Sequence, residues 1–380
     1  MVINRKIPAL QDKGAGERQE IQMNRPDLTR LKSCMRRAEA GEELTIGFFG
    51  GSITQDSLAT KHENCYAYRV FRWWEETFPK AAFHYVNGGI GGTTSHYGVS
   101  RVVTDMLMYQ PDFVAVDFSV NDDPNEFFQE TYEGLIRKML TWSSNPAVLL
   151  LNNVFYDTGK NAQEYHNRVG DWYHLPHVSI KDTVWLRMKA GAFTREEITP
   201  DGLHPNDKGH GLVAAEITSY LEQVKEHMWE DESEQPVPSA MTDNAYENAR
   251  RLTIRESCPK LDGFRADTEE KKGHLDHFKN GWIGKKSGDR ILFEIQASCI
   301  AVQYRKTIHH PARKAELILD GDREHSVLLD GNFDEDWGDC LYLEPVLHHG
   351  KSGRHTVEIK VLPDEYETAE PFYLMALITA

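Results

Sequence analysis

The chain has 380 residues, 40 % hydrophobic and 27 % charged, a balance that excludes a disordered protein and allows two domains with their own cores. Acidic residues number 59 against 43 basic ones, a formal charge of −16. Phosphate backbones and anionic lipid surfaces repel such a chain, so neither nucleic acid nor membrane is expected as a partner.

No stretch approaches the roughly 20 apolar residues that span a bilayer. Residues 1–30 read as a polar N-terminal extension without the apolar segment of a secretion signal, so a cytoplasmic address is expected. The five cysteines, Cys34, Cys65, Cys258, Cys299 and Cys340, are odd in number and show no CxxC spacing. That pattern suits neither a disulfide framework nor a structural zinc site.

From residue 31 to 229, short apolar runs alternate with helical stretches. Runs 44–49, 83–86, 113–118 and 147–151 are nearly continuous in apolar residues, which predicts strands buried on both faces. Between them, 66–78, 97–109, 127–142 and 162–172 have amphipathic spacing, and a last helix is expected over about 208–228. Strand–helix alternation predicts a parallel sheet with helices on both faces, an α/β/α sandwich.

Residues 230–240 are acidic, proline-bearing and without an apolar face, and read as a linker. From 241 to 380 the texture is β-rich, with runs at 290–295, 300–304, 315–319, 326–329, 342–346, 356–361 and 372–378. Turn signals separate them, Asp320-Gly321 being the clearest hairpin turn. This predicts a C-terminal antiparallel β-sandwich.

Chemistry-bearing residues fall at the strand ends. The first strand runs into Gly50-Gly51-Ser52, the second into Asn87-Gly88-Gly89-Ile90-Gly91-Gly92-Thr93, and the third into Ser119-Val120-Asn121-Asp122. The C-terminal edge of a parallel sheet is where open α/β folds place their ligands. The glycine run fits neither GxGxxG nor a P-loop, which argues against a nucleotide. Taken alone, Asn121 is also read as an ordinary turn or N-cap residue.

Near the end of this unit comes Asp201-Gly202-Leu203-His204-Pro205. A carboxylate three residues before a histidine can hold its Nδ1–H and aim Nε2 at a nucleophile. Pro205 is expected at the first position of the following helix. Asp201, His204, Asp207 and His210 also recur every three residues, the metal-ligand alternative, but no further ligand motif accompanies them and no metal is expected.

In this order, the four blocks resemble the SGNH (GDSL-type) hydrolase superfamily over about residues 44–221. The resemblance implies a catalytic triad of Ser52, Asp201 and His204, and an oxyanion hole from Ser52, Gly92 and Asn121. It implies no cofactor. Ser119 stands where the family has glycine, and Gly-Gly-Ser replaces Gly-Asp-Ser.

The layout also resembles two-domain carbohydrate O-acetylesterases, such as the acetyl-mannan esterases of carbohydrate esterase family 17. That resemblance implies a second domain like a carbohydrate-binding jelly roll and a substrate of acetylated manno-oligosaccharides. The alternatives are an acetylxylan esterase, another SGNH esterase, thioesterase or acyltransferase, and a non-catalytic glycan-binding protein. The oligomeric state, monomer or homo-oligomer, stays open.

The polar segments after Ser52 and Asn121 make Asp56 and Asp122 candidate substrate ligands. In the loop 330–339, Trp337 is a candidate platform for a sugar ring; the competing reading makes it an anchor of the loop on the sandwich core. Trp282 and the His309-His310 and His348-His349 pairs read as ordinary residues of the β domain.

Overall fold

The structure is a computed structural model and describes residues 26–231, 233–273, 275–363 and 368–380. The first domain runs α1 (Thr29–Glu39), β1 (Glu43–Gly50), α2 (Ser52–Gln55), α3 (Tyr66–Thr77), β2 (Ala82–Asn87) and α4 (Ser95–Asp105). It continues with β3 (Phe113–Asp117), α5 (Glu126–Leu140), β4 (Ala147–Asn152) and α6 (Gln163–Trp172). The domain ends with β5 (His177–Ser179), α7 (Leu186–Lys189) and α8 (Asp207–Glu226). Its five strands pair in parallel in the order β2-β1-β3-β4-β5.

Alternation along the strands divides the core in two. Leu44, Ile46, Phe48, Phe113, Ala115, Leu149 and Leu151 point toward α1, α3 and α8. Phe49, Val114, Val116, Val148 and Leu150 point toward α4, α5 and α6. Both faces of β3 and β4 are therefore buried, which is why these strands read as unbroken apolar runs. β2 departs from that expectation. Among the described residues it is the edge strand, pairs only with β1, and has no fully buried residue.

Residues 97–109 are not one helix. α4 stops at Asp105, Met106 turns out of helical geometry, and a short 3-10 turn follows before Gln110 at φ 50°. The segment 230–240 has no regular structure among its described residues but is held against the first domain. Glu234 pairs with Arg30, and Arg137 donates to the Pro238 carbonyl. Residues 1–25 of the expected N-terminal extension lie outside the described residues.

The second domain contains β6 (Arg250–Leu252), β7 (Lys260–Asp262), β8 (Arg265–Ala266), β9 (Trp282–Gly284), β10 (Arg290–Ala297) and β11 (Ile300–Lys306). It closes with β12 (Lys314–Leu319), β13 (Asp322–Asp330), β14 (Cys340–Leu347), β15 (Gly353–Val361) and β16 (Phe372–Thr379). They form two antiparallel sheets, β13-β12-β15-β10-β7 and β14-β11-β16-β9-β8, with β6 beside β16. Asp320 and Gly321 both take positive φ in the two-residue turn between β12 and β13, as an Asp-Gly hairpin requires.

Every residue of β16 is buried. Phe372, Leu374 and Leu377 face the interior of the sandwich, while Tyr373, Met375, Ala376 and Ile378 face the first domain and join the core beneath α4 and α5. Where the chain enters the second domain, Glu133 of α5, fully buried, accepts hydrogen bonds from Met241 N (2.6 Å), Thr242 N (2.8 Å), the Thr242 hydroxyl and the Tyr173 hydroxyl (2.5 Å).

Glu133→Ala removes the shared acceptor of these buried and half-buried donors at once. We expect a loss of about 3 kcal/mol in urea unfolding; a change within 0.5 kcal/mol, on the order of a surface substitution, would show that the bonds are replaced by solvent.

Candidate active site

β1 ends at Gly50, and after Gly51 the chain turns into the single-turn helix α2 with Ser52 as its first residue. The turn needs glycine because the Asn121 side chain lies directly against it. A Cβ on Gly51 would sit 2.2 Å from Asn121 Oδ1. Asn121 arrives from the end of β3, its amide N–H bonded to the Phe118 carbonyl at 3.0 Å.

The glycine loop after β2 is fastened to the same place. Ile90 N donates to Gly50 O (3.1 Å), Gly91 N to Gln55 Oε1 (2.5 Å), and Asn87 Nδ2 to Thr54 O (2.8 Å). Beneath them lies Arg101 of α4, with no solvent exposure. Its guanidinium donates to Gly88 O (2.6 Å) and Gly50 O (3.1 Å), pairs with Asp105, and stacks on Phe49. One cation thus ties together the loops that carry Ser52 and Gly92.

The histidine loop is built by Asp201. Its Oδ1 accepts from Leu203 N (2.9 Å), His204 N (2.8 Å) and the Thr199 hydroxyl (3.1 Å), and its Oδ2 bonds His204 Nδ1 at 2.7 Å. Burial pushes the Asp201 pKa up, but the bonds from the His204 ring and the two amides outweigh it and hold the carboxyl below its ordinary value. His204 Nε2 lies 2.8 Å from Ser52 Oγ across 152 residues of sequence. Hydroxyl, imidazole and carboxylate stand in one hydrogen-bonded row.

Pro205 is not the first residue of the following helix. α8 begins at Asp207 with Asn206 as its cap, whose Oδ1 accepts from Lys208 N and Gly209 N. The three-residue spacing of Asp201, His204, Asp207 and His210 does not gather into a site. Asp207 holds Thr60 and Asn64, while His210 is buried between Tyr66 N and the Ser57 carbonyl.

The row opens into a cavity of about 730 Å³. Ser52, Gly92, Asn121, Asp201 and His204 line one side, with Gln55, Ser57 and Leu58 beside them. The other side comes from the second domain: Leu275, His277, Glu335, Trp337, Asp339 and Leu341. A larger groove of about 830 Å³ between α1 and α8 holds none of the triad or the glycine loops, so the chemistry decides for the smaller cavity.

Trp337 is 54 % exposed and packs edge-on against Phe333, with its Nε1 donating to Glu335 Oε2 at 2.6 Å. It is therefore no anchor in the sandwich core. Its ring reaches over Gly92, where an added Cβ would lie 3.4 Å from the indole edge. Gly92 itself takes φ 66°, which glycine adopts without strain.

Two of the expected substrate ligands are elsewhere. Asp56 sits in left-handed geometry (φ 88°) after α2, and its carboxylate bonds His62 Nδ1 at 3.0 Å instead of facing the cavity. Asp122 is buried, accepting from Ser95 N (2.8 Å) and bonding His166 Nε2 (3.0 Å). It braces the glycine loop from behind. The sequence reading missed Gln55, although it directly precedes Asp56, and it missed Leu275 and His277, which no motif marks.

A triad row at the carboxyl edge of a parallel sheet, flanked by glycine-loop amides and an asparagine, defines a serine-type ester hydrolase. The chain belongs to the GDSL-like lipase/acylhydrolase family, whose model matches residues 48–212. It is similar to a two-domain esterase active on acetylated mannans, solved with mannopentaose, at 50 % identity and a TM-score of 0.91. That match covers 94 % of this chain and 96 % of the other. A second structure of a two-domain esterase active on acetylated mannans matches with the same identity and coverage and a TM-score of 0.92. No curated protein sequence matches significantly.

Under the site, β1 and β3 pair so that Gly50 stands opposite Asp117. Asp117 is buried, accepts from Asn153 Nδ2 (2.8 Å) and Thr54 Oγ1 (3.4 Å), and burial pushes its pKa up to about 7. The folded state therefore holds this proton more tightly than the unfolded chain, whose carboxyl titrates near 3.8. The stability it contributes is complete below about pH 4 and is lost as pH rises toward 7. Asp117→Asn should flatten the fall of Tm across that window; parallel Tm–pH curves for both proteins would refute the assignment.

Proposed function

We propose that the protein hydrolyses O-acetyl esters on mannan-derived oligosaccharides with Ser52 as nucleophile. The observation that carries this reading is the unbroken Ser52–His204–Asp201 row inside a cavity walled by both domains. The 50 % identity over nearly the whole length to an esterase active on acetylated mannans supports the substrate class.

In the first half-reaction, Ser52 Oγ attacks the acetyl carbonyl while His204 Nε2 takes its proton. Asp201 holds the ring in the Nδ1–H tautomer and stabilises the imidazolium. The carbonyl oxygen becomes an oxyanion, received by the Ser52 and Gly92 amides and the Asn121 side-chain amide. Collapse expels the sugar hydroxylate, which takes the proton from His204. Water, deprotonated by His204, then attacks the acetyl-Ser52 ester, and acetate leaves as the proton returns to Ser52.

The cavity wall mixes carboxylates, two side-chain amides and hydroxyls with a few leucines, which suits a short acyl group on a polyhydroxy alcohol. Trp337 offers an exposed indole face for a sugar ring next to Gly92. All five cysteines are free thiols in the structure, which supports a reducing, cytoplasmic setting as part of the same proposal.

Mass spectrometry of acetylated manno- and xylo-oligosaccharides before and after incubation tests the substrate class: 42-Da losses, on the order expected for one acetyl group each, from the manno series are expected to be faster. Ser52→Ala should remove turnover with the fold intact by circular dichroism, and Asp201→Asn should lower kcat by about 10⁴-fold. Full activity in either variant would overturn the triad.

Trp337→Ala should raise KM for acetylated manno-oligosaccharides about tenfold, the loss of one stacking contact, while leaving small aryl acetates almost unchanged. Equal effects on both substrates would mean that Trp337 supports the loop and does not bind sugar.

A further inference from the structure

Away from the cleft, at the seam between the domains, α5 faces the connection from β14 to β15. Among the described residues, Glu130, His348 and His349 bring one potential ligand atom each within 4.8 Å of one another. His349 takes φ 50°, a left-handed conformation uncommon for a side chain of this size, which folds the chain back toward α5. Its Nε2 lies 2.8 Å from Glu130 Oε2.

The remaining polar atoms of all three are already oriented. His348 Nδ1 bonds the Tyr246 hydroxyl at 2.8 Å, and the two rings stack at 13°. That leaves His348 Nε2 for another partner. Glu130 Oε1 accepts from Ala245 N at 2.9 Å, leaving Oε2. His349 Nδ1 faces Asp243 Oδ2 at 4.0 Å. Metal-ligating histidines and carboxylates are held in this manner by a second ring of partners.

We propose that Glu130, His348 and His349 form a divalent-cation site, suited to Zn²⁺, that fastens the hydrolase domain to the sandwich. Two imidazoles and a carboxylate are the donor set of a three-ligand zinc centre, with water as the fourth ligand. Tetrahedral zinc at about 2.0–2.1 Å from each donor requires ligand atoms about 3.4 Å apart. Binding therefore draws together three donor atoms that already lie within 4.8 Å of one another. Zinc at His349 Nε2 displaces the proton shared with Glu130, and the ring proton then resides on Nδ1, facing Asp243.

A cavity of about 500 Å³ gives the ion an entry path. The cation facing this cavity, Arg168, is paired with Glu164 at 2.5 Å. The bonds of the site run from α5 of one domain to the β14–β15 connection of the other, so bound metal opposes their separation. The site rests on geometry independent of the esterase reading.

The full chain, dialysed against EDTA, is titrated calorimetrically with ZnCl₂, and Co²⁺ is added in parallel to read its visible absorption. One equivalent of Zn²⁺ and a tetrahedral Co²⁺ spectrum are expected. His348→Ala, His349→Ala and Glu130→Gln should each weaken binding at least about tenfold, the loss of one ligand's contribution, whereas His204→Ala leaves it unchanged. Binding that survives His348→Ala and His349→Ala, that is lost in His204→Ala, or that never saturates near one equivalent would overturn the site. In each of those cases Glu130 and His349 form a hydrogen-bonded pair and nothing more.

Discussion

The catalytic apparatus depends on the register in which β1 pairs with its two parallel neighbours. Phe48 stands opposite Asn87 of β2, and Gly50 stands opposite Asp117 of β3. β1 and β3 therefore finish at one level, and β2 ends two residues earlier, where its glycine loop begins. The Ser52, Gly92 and Asn121 loops leave the sheet side by side, and only the histidine loop must come from far along the chain. A slip of one residue would exchange the two faces of β1, sending Phe48 and Phe49 into each other's cores and carrying Ser52 away from Asn121.

Glycine-rich strand ends gain close approach and lose rigidity, since glycine has the most conformational freedom to give up. The structure restores rigidity through side chains outside the reaction. Arg101 binds the Gly50 and Gly88 carbonyls from below, Gln55 binds Gly91 from the side, and Asp122 binds Ser95 at the start of α4. Burying a guanidinium is costly unless its donors are satisfied. Here two carbonyls, a carboxylate and an aromatic face partner it, while its buried Nε–H has no hydrogen-bond acceptor among the described residues. Asp122 is likewise paired within its buried surroundings by His166, which stacks on Tyr132 at 3.7 Å.

Residues whose roles follow from position along one short segment were legible in the sequence. Ser52 follows a strand and two glycines, and Asp201 reaches His204 within one turn of chain, so spacing alone constrains their geometry. Asp56 and Asp122 were misread because a side chain's direction depends on partners elsewhere. Asp56 is turned aside by a positive φ that nothing in Gln55-Asp56-Ser57 announces, and Asp122 is claimed by His166 from α6. Composition likewise could not tell that β2 is an edge strand. The unbroken apolar run 372–378 did carry a signal: a strand of a free-standing sandwich alternates, and this one does not, because its outer face is covered by the hydrolase domain.

That covered face bears on why the second domain belongs to the active site. A sandwich on a loose tether would sample many orientations, and a tryptophan on its loop would contribute little to a binding cleft. β16 instead shares a core with α4 and α5, and Glu133 closes the junction from within. The loop carrying Trp337 is fixed in turn by Asn332, whose side chain bonds both the amide and the carbonyl of Ala312. With the orientation set by burial, the indole can be held over Gly92 without a hinge or an ordering step. The same wall adds Glu335 and Asp339 to the lining of the cavity that holds the triad. Glu335 already accepts from the Trp337 indole N–H and Asp339 pairs with Arg305, so these carboxylates hold the loop in shape and leave the indole face turned to the cleft.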